Sequence, residues 1–250
     1  MARLDMEVFH ALAKTIAGDP ERWRQQVSPF SLLHRKFKAY PDIHRDGYLV
    51  SAYLGSAESV NPMELVGTAH PDYVGLTSLE MLTAGKRMAS LNLPLLAQNP
   101  EYYLETGKKE PVMNYSRVDG DLYISCEGNH RSAICRCLYA TLGIATFHGV
   151  EYTDFQTDRV TPKQVAEAQG LIVSRRLPLH LEAITTVVRR DDSPGWKKDH
   201  YETVIKVMNY QRGTERDLQP FDLPGFLHAL DATRFWHRWT GKNPYPDILP

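Results

Sequence analysis

Residues 121–143 read Asp-Leu-Tyr-Ile-Ser-Cys-Glu-Gly-Asn-His-Arg-Ser-Ala-Ile-Cys-Arg-Cys-Leu-Tyr-Ala-Thr-Leu-Gly, and this stretch leaves the chain few ways to fold. Leu122 to Cys126 is a short apolar run of strand character, after which Ala133, Ile134, Cys137, Leu138, Thr141 and Leu142 recur at helical spacing. The spacing predicts a strand, a tight turn and a helix. Gly128 supplies a backbone that can turn without a Cβ, and Gly143 stands where a helix C-terminus favours one. The start of such a helix presents free N–H groups and the positive end of the dipole, which together attract an anion. Arg131 adds a planar fork matched to phosphate or carboxylate.

The string Glu127-Gly128-Asn129-His130-Arg131-Ser132-Ala133, set between a strand and a helix that stops at Leu142-Gly143, with a second strand over residues 146–153, resembles the signature of the ParB/sulfiredoxin superfamily. The resemblance covers roughly residues 73–155. It implies an α/β (α+β) fold with a small mixed sheet, and a Gly-x-His-Arg turn that binds nucleotide phosphates. Sulfiredoxins carry a catalytic cysteine just before the His-Arg pair; here Asn129 stands there, which argues against sulfinic acid reduction. Partition proteins of this superfamily continue into a helix-turn-helix, whereas the residues after Phe155 read as extended segments and charged loops. The plan is closest to the plasmid fertility inhibition factors of the Osa type, which implies hydrolysis of ATP, of DNA, or of both. A non-catalytic nucleotide-binding regulator, a DNA-binding partition-like protein and a small-molecule kinase are the alternatives. On the chemistry of the residues, Arg131 and the amides after Gly128 would stabilise charge on the phosphoryl oxygens, Glu127 would orient water or hold Mg²⁺, and His130 would exchange a proton, so Glu127, His130 and Arg131 are the candidate catalytic set and Gly128, Asn129, Arg131 and Ser132 the phosphate site. The tyrosine phosphatase loop is a poorer match, since four residues separate Cys126 from Arg131 where that loop needs five.

Composition bounds the remaining possibilities. With 250 residues, 42% hydrophobic and 24% charged, the chain can bury a sizeable core. A formal net charge of −1 argues against bulk electrostatic capture of nucleic acid and leaves only a local basic face for DNA. Three cysteines, two of them in the proposed helix, make a disulfide framework unexpected and point to a cytoplasmic setting. No run approaches the roughly 20 apolar residues of a membrane span, so no membrane partner is expected. Nucleotide, DNA and a protein are the expected partners.

Three regions follow from the order of signals: a helical extension with one strand over 1–72, a nucleotide-binding core over 73–155, and a hairpin-and-helix extension over 156–250. Residues 4–17 form an amphipathic helix ended by Gly18, and Asp19-Pro20 starts another. The stretch 21–40 is locally basic, with Trp23, Phe30, Phe37 and Tyr40 interleaved; a core-facing aromatic stripe with a solvated basic back is the favoured reading over a nucleic-acid platform. A strand is expected over 48–54, then a long Gly/Pro/Ser/Asn-rich loop to Asp72. Thr77 and Glu80 have capping-box spacing, opening a helix to about Ser90. Pro94 begins a helical segment to about Thr106, and Asp119-Gly120 joins two strands. Beyond Phe155, a helix is expected from Thr161 to Gln169, stopped by Gly170. A hairpin over 183–190 and 200–210 follows, its charged loop bordered by Arg189, Arg190, Lys197 and Lys198. A last helix carries Phe226, Leu227, Leu230, Phe235 and Trp236.

Overall fold

The computed structural model describes residues 5–43, 47–232 and 245–249. Among them the α-helices are α1 (Met6–Gly18), α2 (Pro20–Val27), α3 (Ser78–Ala84), α4 (Leu93–Gln98), α5 (Asn129–Leu142), α6 (Thr161–Ser174) and α7 (Leu223–Ala232). The strands are β1 (Lys38–Ala39), β2 (Tyr48–Val60), β3 (Leu65–Thr68), β4 (Asn114–Val118), β5 (Asp121–Ile124), β6 (Phe147–Asp158), β7 (Leu179–Ser193), β8 (Trp196–Asn209) and β9 (Thr214–Leu218). The class is mixed α/β, as expected. The chain forms two compact units, one of Met1–Pro41, Tyr53–Asp154 and Ser193–Lys197, the other of Asp42–Ala52, Phe155–Asp192 and Lys198–Pro250.

In the first unit the strands run in the order β1-β3-β5-β4-β6, with β1–β3 and β3–β5 parallel and β4–β5 antiparallel. Asp5 caps α1 by accepting from Glu7 N and Val8 N, and Phe9, Ala13 and Ile16 face inward. Asp19 then accepts from Arg22 N with Pro20 in the first turn, so α2 starts at once and buries Trp23 and Val27. Trp23 and Phe37 lie in the same core as α5, so they are withdrawn from any stacking platform. Val118 pairs with Asp121, and Asp119 and Gly120 have φ of 49° and 96°, the two-residue hairpin turn that Asp-Gly favours.

Two expectations fail in this unit. The long loop before Asp72 is instead the end of β2, a short 3-10 turn and β3. The reason is pairing with distant chain: Ser56 N donates to Gly195 O at 2.9 Å, and Gly67 sits opposite Lys38, where a Cβ would lie 2.2 Å from Lys38 O. Glycine and serine here permit close strand approach and do not mark a loop. The helix opened by Thr77 has both capping-box bonds, yet it ends at Ala84, short of Ser90. Residues Met88–Asn92 form a π-type turn that feeds α4, held by Asn92 Nδ2 donating to Arg87 O at 2.8 Å. The segment begun at Pro94 likewise stops at Gln98, with a 3-10 turn over Pro100–Tyr103.

In the second unit β8 pairs with β7 and, antiparallel, with β9, a strand not anticipated from sequence. Helix α6 runs through Gly170 to Ser174, because Val165, Ala168 and Ile172 bury one face, which outweighs the roughly 1 kcal/mol cost of a mid-helix glycine. The hairpin strands are longer than expected: Asp191 and Asp192 belong to β7, and only Pro194-Gly195 separates it from β8. Arg190 holds the buried Asp199 with two hydrogen bonds of 2.5 and 2.9 Å, and Arg189 pairs with Asp191 at 2.9 Å, so these bordering charges are already engaged. The core of this unit gathers α6, α7, β7 and β8 with Leu218, Tyr245 and Ile248. Phe226 and Leu230 join it as expected; Phe235 and Trp236 lie outside the described residues.

Arg136, on α5, is fully buried in the first unit. It donates to Ser78 Oγ and Leu32 O, both at 2.8 Å, and lies 5.6 Å from the centre of the Phe37 ring. Burial lowers its pKa to about 10, so it stays charged at neutral pH. Arg136→Ala is expected to cost roughly 3–5 kcal/mol, since it opens a cavity and strands two polar partners. Arg136→Met, which keeps the volume, should cost less than half as much. Urea unfolding of the three proteins checks this; an alanine variant as stable as the parent would show that the guanidinium organises nothing.

Candidate functional site

The turn between β5 and α5 is pinned from both sides. Asn114 N donates to Glu127 O and Ser125 N to Asn114 O, each at 3.1 Å, which fixes the path of the turn against β4. Gly128 then takes φ 108°, and a Cβ there would lie 2.6 Å from Met113 Sδ, so both backbone and neighbour require glycine. The first bond within α5 is Ser132 N to Gly128 O at 2.7 Å, and no side chain caps the helix. The amides of Asn129, His130 and Arg131, in the first turn, have no intrahelical partner and no other hydrogen bond among the described residues. These three residues line a cavity of about 550 Å³ within the first unit.

The cavity brings together Glu127, Gly128, Asn129, His130 and Arg131 of the predicted set, with Cys126 beside them. Ser132 is not among its lining residues. Its hydroxyl meets Tyr115 Oη at 2.8 Å in the core, because the fourth residue of the helix has turned toward the sheet. Arg131 lines the wall but spends most of its fork there, with Nη1 donating to Tyr102 Oη at 2.8 Å and Pro111 O at 2.5 Å, and Nη2 to Val112 O at 2.8 Å. Asn129 is buried, and its Oδ1 accepts from Thr68 Oγ1 at 2.6 Å, tying the helix start to the end of β3. Its Nδ2 makes no hydrogen bond among the described residues. Glu127 is exposed, with its carboxylate likewise unengaged among the described residues.

His130 is half-buried. Its Nε2 is 3.2 Å from Tyr73 Oη, and Tyr73 meets the imidazole edge-on at 5.2 Å between centres. Gly85 makes room for it, since a Cβ there would come within 2.6 Å of the ring. Burial first, and then the charges of Arg87, His70 and Arg131, push its pKa below the ordinary 6.5. At neutral pH the ring is thus uncharged and able to accept a proton.

Sequence reasoning missed the far wall. Arg87 is exposed at the cavity and has no ion-pair partner among the described residues, whereas neighbouring Lys86 is tied to Asp72. The pair Lys86-Arg87 follows Gly85 inside the stretch expected to be helical to about Ser90, and nothing local marks it as part of a site. Leu91, Leu95, Leu96 and Tyr102 form an apolar side opposite the polar turn. Lys86, Arg87 and Arg131 are balanced by Asp72, Glu110 and Glu127, so the cavity is no channel for a polyanion strand.

Among the described residues no three His, Cys, Asp or Glu side chains are placed to hold a metal ion. Cys135 and Cys137 are buried free thiols whose pKa values burial raises, and Cys126 is free and exposed. No helix among the described residues is long and apolar enough to cross a membrane. No protein family model, curated protein or solved structure matches the chain.

Because the folded state holds His130 neutral, protonation opposes folding. Its contribution to stability is complete above pH 6.5, is lost as pH falls from there to the lowered pKa, and changes no further below it. Proton NMR of the imidazole should give a midpoint under 6.5, and Arg87→Gln should move it upward. A midpoint at or above 6.5 would contradict this description of the site.

Proposed function

We propose that the first unit binds a phosphorylated small molecule of the nucleotide class at the start of α5 and hydrolyses its phosphate ester or anhydride. The observation that carries this reading is the uncapped helix start behind Gly128, which opens on a cavity shared with the unpaired Arg87 and the neutral His130. The resemblance to the ParB/sulfiredoxin superfamily, and to fertility inhibition factors within it, points the same way. The three free amides and Arg87 hold the phosphoryl oxygens and oppose the charge that develops on them. His130, oriented by Tyr73, takes a proton from the attacking water, and Glu127 orients that water. Leu95, Leu96 and Tyr102 receive the apolar remainder of the ligand. Among the described residues no three His, Cys, Asp or Glu side chains gather to hold a metal ion, so a Mg²⁺ at Glu127 would draw its other ligands from the substrate phosphates and water.

A second reading, a nucleotide-binding switch without turnover, is favoured by one observation. Arg131, the residue the family resemblance assigns to phosphate, donates to two carbonyls and a phenol of the cavity wall. DNA as a substrate has less support, given the balanced charges of the cavity.

Equilibrium binding of a nucleotide panel beside steady-state phosphate release separates these readings. Arg87→Ala is expected to weaken binding by roughly 1.5–3 kcal/mol, the range for hydrogen bonds to charged groups. His130→Gln should leave binding in place and lower turnover by about 10²-fold or more. Parent protein that binds nucleotide but releases no phosphate would leave only the switch. Failure to bind any phosphate-bearing ligand would remove both.

A further inference from the structure

Strand β7 ends the strand order of the second unit, and among the described residues no strand pairs with its other edge. From Glu182 to Arg190 the chain reads Glu-Ala-Ile-Thr-Thr-Val-Val-Arg-Arg, and Ile184 to Arg190 is exposed on both faces of the strand. Natural edge strands are blunted by charged side chains, proline or a bulge, or are kept short. The strand carries charges at Glu182 and at 189–192, but residues 183–188 between them hold no charge and no proline, and five β-branched residues stand in a row at 184–188. Helix α6 reaches the strand's backbone near its beginning, where Gln169 Nε2 lies 3.5 Å from Leu181 O. The uncovered span therefore starts at Glu182.

This span is self-complementary in charge. Two copies joined edge to edge about a two-fold axis run antiparallel, and each residue then faces one of the same parity, on the same side of the sheet. With the axis at Thr186, Glu182 faces Arg190 of the second copy, Ile184 faces Val188, and Thr186 faces itself. Arg190 binds Asp199 through Nε and Nη2, which leaves Nη1 available to Glu182 of the second copy. Glu182 has no partner of its own among the described residues. The neighbouring registers are worse. With the axis at Val187, Glu182 faces Asp192; with it at Thr185, Glu182 faces Val188 and Arg190 faces His180.

We infer that this protein forms a homodimer by antiparallel pairing of β7 with β7 of a second copy, in the register that places Thr186 on the two-fold axis. The inference is independent of the function proposed for the first unit. It makes Ile184, Val188, Glu182 and Arg190 interface residues and closes the exposed strand edge with main-chain hydrogen bonds.

Sedimentation of the full chain over a concentration series tests it, with circular dichroism confirming that each variant is folded. The parent should be a dimer, and Ile184→Lys with Val188→Lys should raise the dissociation constant by more than about tenfold by placing lysines along the edge. In a Cys126→Ser background, Thr186→Cys should give a covalent dimer on mild oxidation, because residues on the axis meet, while Glu182→Cys should not. A parent that stays monomeric at the highest attainable concentration would overturn the inference and leave the edge to a strand of another protein. A dimer indifferent to the paired lysines, or one that cross-links as readily through Glu182→Cys as through Thr186→Cys, would overturn it as well.

Discussion

A guanidinium is tolerated in a protein core when hydrogen-bond partners replace the water it loses, and Arg136 finds them for Nη1 and Nη2 on segments far from it in sequence, while its buried Nε has none among the described residues. Ser78 opens α3, and Leu32 lies in the short turn after α2; both must reach α5 for the charge to be tolerated. The N-terminal helices, α3 and the motif helix also share one hydrophobic cluster. Gly85, Arg87 and Asn92 follow α3 directly in the chain, so a contact outside the cavity helps to place one of its walls.

At the cavity itself, polar groups divide into those engaged by the protein and those left open. Arg131 braces Pro111 and Val112, Asn129 Oδ1 braces Thr68, and Ser132 braces Tyr115. Among the described residues the backbone amides of the first turn of α5 and the Arg87 guanidinium have no such brace. Rigid bracing of one set holds the other in place, which is how a small site achieves orientation without a large charge. The charges that line the cavity balance, and Leu95 and Leu96 give it an apolar part.

Local signals were legible wherever a few adjacent residues carry the whole cause. The Asp119-Gly120 turn, the capping box at Thr77, the start of α2 at Asp19-Pro20, and the two left-handed glycines that flank α5 each involve backbone groups within a few residues of the side chain responsible. Gly55 to Gly67 was misread, because its glycines and serines serve strands whose partners lie far away in sequence. Gly170 was misread for a related reason: burial of α6 on its own unit's core decides the helix, and that burial is not a local property.

What the sequence alone determined about this protein is the strand, glycine turn and helix of residues 121–143, since those outcomes follow from φ freedom and from periodicity within one segment. The tertiary structure alone decided which groups face the cavity. It turned Ser132 inward, engaged the Arg131 fork on carbonyls twenty residues back in the chain, and brought Arg87 and Tyr73 to His130. Side-chain direction at a site is set by the elements packed around it. The chain order of 129–132 does not contain those neighbours, and only the folded core supplies them.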